Sequence, residues 1–119
     1  MRTVLSDLED AGADIKEALR QIGGEEKIYL FVLKKFMNDK GIYELNNALA
    51  DNDMSSAFDI AHTLKGMYGA IYFQDEYGLC SEIVELLRNN EDIRKVYDKL
   101  EVLNGLHRQK LDIMKGRID

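Results

Sequence analysis

Not one proline occurs in this chain of 119 residues, and that omission restricts the fold more than any residue present. Proline ends or kinks a helix by removing a backbone donor and clashing with the preceding turn. The β-branched and aromatic alternation that marks strands is missing as well. Apolar residues recur instead at three- and four-residue steps, the pattern of helices with one buried face. Met54, Ala57, Phe58, Ala61, Leu64, Tyr68 and Ile71 make the clearest such stripe. An apolar content of 45% is enough to fill a core. The expectation is an all-α protein: an antiparallel four-helix bundle with short extra N-terminal helices, a single domain over residues 1–119.

Helix boundaries follow from turn and cap chemistry. Val4, Leu5 and Leu8 suggest a short first helix, and Asp14 begins a second that carries Ile15, Leu19 and Ile22 and stops at Gly23-Gly24. Glu25-Glu26 open a third, with Tyr29, Val32, Leu33, Phe36 and Met37 inward and Gly41 as its terminator. Ile42, Leu45, Ala48 and Leu49 mark a fourth, ending in the Asp51-Asn52-Asp53 turn, and Asp53 caps the helix that follows. Phe73-Gln74-Asp75 reads as a turn with an acidic cap before a helix built on Tyr77, Leu79, Cys80, Ile83, Leu86 and Leu87. Glu91-Asp92 start the last and longest helix, with Ile93, Val96, Leu100, Leu103 and His107 in coiled-coil-like register, continued by Leu111 and Met114.

Charge and composition exclude several classes. A net charge of −6 opposes binding to nucleic-acid phosphates and any polybasic membrane contact. The longest uncharged apolar run, Ile28 to Leu33, is far too short to cross a bilayer. Acids at Asp7, Glu9 and Asp10 are unlike a signal peptide, so the chain reads as cytoplasmic. The lone Cys80 sits in an apolar stretch as a small core residue. No spacing such as Glu-x-x-His joins the histidines into a metal site.

Within the central helix stands Ala61-His62-Thr63-Leu64-Lys65-Gly66-Met67-Tyr68-Gly69. At about 100° per residue, His62 lies about 130° from the centre of the apolar stripe, so its imidazole points away from the core. Gly66 and Gly69 fall within about 40° of it on the same wheel, with Lys65 about 60° to the other side. Each interior glycine costs about 1 kcal/mol of helix stability relative to alanine. A surface cleared for close approach of a partner accounts for that cost better than helix packing does. His107 is the contrast: it falls in the apolar register of the last helix, as a structural imidazole.

The run His62-Thr63-Leu64-Lys65-Gly66 resembles the signature of histidine phosphotransfer (HPt) domains. The likeness extends through Gly12-Ala13-Asp14, Gly23-Gly24, Tyr29, Lys34-Lys35-Phe36, Leu45 and Ala48-Leu49, and covers most of residues 12 to 90. It implies a helical bundle whose histidine accepts a phosphoryl group and exchanges it with the aspartate of a response-regulator receiver domain. By that resemblance His62 is the phosphoacceptor, through Nε2, and Lys65 offsets charge on the incoming phosphoryl oxygens. Gly66, Gly69, Asp59 and Tyr72 make up the expected docking surface. The sequence departs from the family pattern at Tyr68, where a small residue is common, at Ala70, where asparagine is, and at Tyr72, where glycine is. Tyr68 lies on the core side of the wheel and fills space there; the other two changes bear on the partner surface.

The resemblance implies a monomeric phosphorelay intermediate with no kinase activity of its own and no cofactor. Mg²⁺ and its acidic cluster would belong to the receiver, and an upstream histidine kinase would supply the phosphoryl group. No Gly-rich phosphate loop is present for ATP. The phosphoacceptor domain of a chemotaxis-type kinase shares the motif and is one alternative; the length of the chain and the want of a following linker weigh against it. A bundle that binds receivers without accepting phosphate is another, opposed by the intact His62 and mildly favoured by the three departures.

Overall fold

A computed structural model describes residues 2–118. The described residues form helices joined by turns: α1 (Val4–Asp10), α2 (Ile15–Gln21), α3 (Glu26–Met37), α4 (Gly41–Ala50), α5 (Met54–Ala70), α6 (Gln74–Arg88) and α7 (Ile93–Met114). The all-α expectation is met, with the elements in the anticipated order.

Local chemistry sets most boundaries. Asp14, Asp53 and Asp92 each stand just before a helix and accept a backbone N–H from its first turn, at 3.2, 3.1 and 3.0 Å. Those bonds satisfy donors that a helix start leaves without a partner. At the other ends, Gly12, Gly23, Asn52, Tyr72 and Asn90 adopt positive φ. The backbone doubles back there in paired bonds, as in Tyr72 N–H to Gly69 C=O (3.2 Å) and Phe73 N–H to Tyr68 C=O (3.1 Å). Glycine and asparagine enter this left-handed region readily, whereas tyrosine does so at a cost of about 1–2 kcal/mol.

Two boundaries differ from expectation. Gly41 does not terminate α3; Asn38 does, and Gly41 is the first residue of α4, its N–H held by Asp39 Oδ1 at 2.7 Å. A Cβ at Gly41 would come within 2.8 Å of Leu64 Cδ2, so glycine serves close approach of α4 to α5 rather than a stop. Asp75 is not a cap either: Phe73 occupies the cap position of α6 without a side-chain bond, and Asp75 lies inside the first turn. There its charge still favours the positive end of the helix dipole.

Helices α4 to α7 form a ring. α5 packs on α4 and α6, and α6 on α7. The ring closes where Asn46 and Asn104 exchange amide bonds of 3.0 Å and Tyr97 Oη donates to Leu49 C=O at 3.0 Å. Those contacts ascend α4 while descending α7, so the two run antiparallel. The same holds for α6 and α7, where Glu76 meets Lys110 and Glu82 meets Lys99, each at 2.9 Å. α1 lies against α7. α3 is fastened to the end of α5 by Tyr29 Oη donating to Ile71 C=O at 2.6 Å. Its Phe36 ring meets Tyr68, Phe73 and His107 edge-on, with centroids 5.8, 5.3 and 5.1 Å away.

The core is mostly the apolar set the periodicity marks out, with two charged exceptions. Glu76 and Lys110 are almost wholly enclosed, at 1% and 0% exposure. Conversely Tyr77 and Ile93, assigned inward by spacing, are exposed. No helix among the described residues is long and apolar enough to cross a membrane.

Candidate functional site

α5 places the site. Its buried side carries Ala57, Ala61, Leu64 and Tyr68, and the remaining arc is left to solvent. His62 is exposed on that arc, with Thr63, Gly66, Asp59 and Ala70 also exposed. The helix is capped at its start by Asp53 and closed at its end by the reversal at Tyr72, so His62 stands at mid-helix.

The imidazole stacks on Phe58 one turn earlier, with centroids 6.4 Å apart and planes 26° from parallel. The Arg88 guanidinium, at the C-terminal end of α6, lies 5.5 Å from the centre of that phenyl ring. Arg88 also pairs with Glu85. Lys65 is half-buried and carries its ammonium 5.7 Å from the centre of the Tyr77 ring. The α6 side of His62 is thus edged by aromatic rings with cations over them. On the α4 side, Asp39, Glu44 and Asp59 line a hollow with Thr63 and Met67. The hydroxyl of Thr63 is turned back onto Asp59 C=O at 3.1 Å.

The two glycines differ. A Cβ at Gly66 would meet nothing within 4 Å, so the surface beside His62 is open there. A Cβ at Gly69 would come within 3.1 Å of Tyr77 Cδ2. Gly69 therefore makes room for the Tyr77 ring, and helix packing accounts for it, contrary to the expectation for the pair. Tyr72 is half-buried at the turn beyond α5, where its C=O accepts from Asp14 N–H at 2.9 Å. Its positive φ falls where the family pattern has glycine.

His107 has the opposite setting. It is 5% exposed, and its Nδ1 is 2.7 Å from Tyr68 Oη, while Nε2 has no partner. Burial holds its pKa below the usual histidine value, against a raising influence from Asp39. Burial likewise pushes the Tyr68 phenol well up. The pair stays neutral and structural, and Tyr68 does more than fill space. Burial also pushes the Cys80 thiol up to about 12, which leaves it unreactive. Among the described residues, no group of three or more His, Cys, Asp and Glu side chains is placed to hold a metal.

Sequence reasoning missed Phe58 as a ring partner, Tyr77 as the cover over Gly69, and Arg88. The i, i+4 spacing of Phe58 and His62 was a usable signal for the stack. The α6 residues carried none, because their nearness to α5 depends on how two helices pack.

Fold and site define a helical bundle presenting one exposed histidine on a helix face with a glycine gap beside it. The sequence model of the Hpt domain family matches residues 37–111, more than half of the chain, and the chain belongs to that family. Members take part in histidine phosphotransfer in two-component phosphorelays, as carriers that meet receiver domains and histidine kinases. The match begins at the last residue of α3 and includes α4, α5 and α6 with His62. No curated protein and no solved structure matches the chain.

Proposed function

We propose that His62 is the phosphoacceptor and that the chain, one domain over its 119 residues and monomeric, carries a phosphoryl group to or from the aspartate of a receiver domain in the cytoplasm. The observation that carries this reading is the exposure of His62 beside the open face of Gly66, while the other histidine is enclosed. Neutral imidazole has a lone pair on one ring nitrogen, taken here as Nε2. It attacks phosphorus of the receiver's aspartyl phosphate; the N–P bond forms as the acyl O–P bond breaks, and the carboxylate leaves with that electron pair. The proton on Nδ1 then passes to solvent.

Lys65 reduces the charge on the transferring oxygens, and one cation is insufficient for in-line phosphoryl transfer. The Mg²⁺ and acidic cluster belong to the receiver, so this chain needs no cofactor and has no kinase activity of its own. Gly66 and Asp59 lie under the docking partner, with Tyr72 at its edge and Gly69 supporting it through Tyr77.

The test is transfer from receivers phosphorylated with acetyl phosphate, read as acid-labile, base-stable phosphate on this chain. His62→Gln should abolish labelling and leave the helical circular-dichroism signal unchanged. Gly66→Leu should fold normally and slow transfer by about tenfold or more, because a bulky side chain obstructs the open face. Labelling that persists in His62→Gln would overturn the assignment.

A further inference from the structure

Beside the Asn46–Asn104 bridge a cleft of about 800 Å³ opens between the start of α4 and the end of α7. α7 stands across the ring from α5, and no α5 residue lines the cleft, so it is separate from the arc that carries His62. Its apolar lining comes from three helices: Met37 of α3, Ile42 and Tyr43 of α4, and Leu111 of α7. Asn46 and Asn104 satisfy each other's amides, which leaves His107, Arg108, Asp112 and Lys115 as the other polar groups. The three charged residues are exposed, and none of them belongs to an ion pair among the described residues. Two cations against one carboxylate leave the cleft one positive charge in excess, in a chain whose net charge is −6.

His107 supplies a second observation. Its Nδ1 lies 2.7 Å from Tyr68 Oη, while Nε2 is enclosed and has no hydrogen-bond partner. A proton on Nδ1 would leave two groups unmet, the phenol O–H and the Nε2 lone pair. A proton on Nε2 lets the phenol donate to Nδ1 and leaves only the Nε2–H. The hydrogen-bond network thus assigns the proton to Nε2. A residue of the cleft wall therefore carries a buried donor with no acceptor, an unfavourable state that an acceptor oxygen would relieve.

We propose that this cleft binds a small organic monoanion, a carboxylate on an apolar body. One carboxylate oxygen accepts from His107 Nε2–H, Arg108 and Lys115 offset the charge from the rim, and the body lies between Tyr43 and Leu111. Charge separates this class from its neighbours. A phosphate dianion exceeds the single positive charge, and a neutral apolar molecule leaves both cations and the buried donor unused. The volume is within the range of small-molecule sites. Because Nε2 is enclosed, a lining side chain turns aside on entry; Met37, unbranched and half-buried, is the most adaptable of them. The proposal is independent of the phosphotransfer reading and stands whether or not His62 accepts phosphate.

The experiment titrates the wild-type chain with benzoate, phenylacetate and isovalerate, with phenylacetamide and inorganic phosphate as controls. Proton–nitrogen NMR follows the backbone amides and the imidazole nitrogens. At least one carboxylate should give saturable shifts at Asn46, Asn104 and Leu111 and move the His107 Nε2–H resonance. Phenylacetamide and phosphate should bind at least about tenfold more weakly than that carboxylate. Arg108→Gln combined with Lys115→Gln should weaken the carboxylate about tenfold and leave the melting temperature unchanged, since both side chains are exposed. Failure of all three carboxylates to saturate overturns the proposal, as does equal affinity for phenylacetamide or in the double variant. Cleft amides that shift while the His107 Nε2–H resonance stays fixed also overturn it, and so do saturable shifts confined to the His62 arc of α5.

Discussion

Substituting Lys110 by methionine should be strongly destabilising. Lys110 Nζ lies 2.9 Å from Glu76 Oε2, with the two side chains at 0% and 1% exposure. Its further partners are Gln109 Oε1 at 3.2 Å and the face of Phe73, 5.8 Å to the ring centre. Glu76 Oε2 receives no well-directed hydrogen bond, so the attraction to Lys110 is chiefly coulombic and Glu76 has little else to hold its charge. Removing the cation alone strands a buried carboxylate, which costs about 3–5 kcal/mol. Against a total stability of about 5–15 kcal/mol for a domain, that is a large fraction. The double substitution Glu76→Leu with Lys110→Met removes both charges at similar volume. It should restore stability to near wild type or raise it by about 1–4 kcal/mol. Urea denaturation followed by far-ultraviolet circular dichroism at pH 7 gives both numbers. If Lys110→Met alone lost under about 1 kcal/mol, the pair would be solvated or slack and the reasoning refuted.

Two further outcomes follow from the same geometry. The depressed pKa of His107 means that below the ordinary value near 6.5 the unfolded chain binds a proton that the folded chain refuses. Stability from this group is therefore complete above about pH 6.5 and falls with decreasing pH by up to about 1.4 kcal/mol per unit. His107→Gln should flatten that decline below about pH 6.5, and a denaturation series showing parallel slopes would contradict it. Gly66→Ala should stabilise by up to about 1 kcal/mol, since the new Cβ meets open space. Gly69→Ala should gain less or lose, because its Cβ presses on Tyr77 at 3.1 Å; equal melting shifts for the two would show that the Tyr77 ring exerts no constraint.

The sequence was most legible where one periodicity settles one face. The α5 stripe put His62 outward and Tyr68 inward, and both stand so. Aspartates before apolar runs located three helix starts, because the capping bond is local. Legibility failed where the answer lies between helices. Gly41 and Gly69 read as a stop and a cleared surface, yet each faces a side chain of the following helix, Leu64 or Tyr77. Glu76 and Lys110 were invisible for a related reason. A scan for apolar spacing counts each as polar, and only their meeting across α6 and α7 makes both tolerable inside.

The strained turn at Tyr72 and the seating of α3 bear on one mechanical requirement. A phosphoryl acceptor that meets its partner only transiently cannot afford a loosely held histidine, since small misplacements of reacting atoms are costly in rate. α5 is capped at its start by Asp53, and at its end Tyr29 Oη holds Ile71 C=O at 2.6 Å while Asp14 N–H holds Tyr72 C=O at 2.9 Å. The last of these bonds uses the carbonyl of the residue at positive φ, so it ties the turn to the segment leading into α2. The bond from Tyr29 comes from α3 itself, on the helix that exposes Ile28 and Phe31. A partner that reaches His62 would therefore meet it on a helix fastened at both ends.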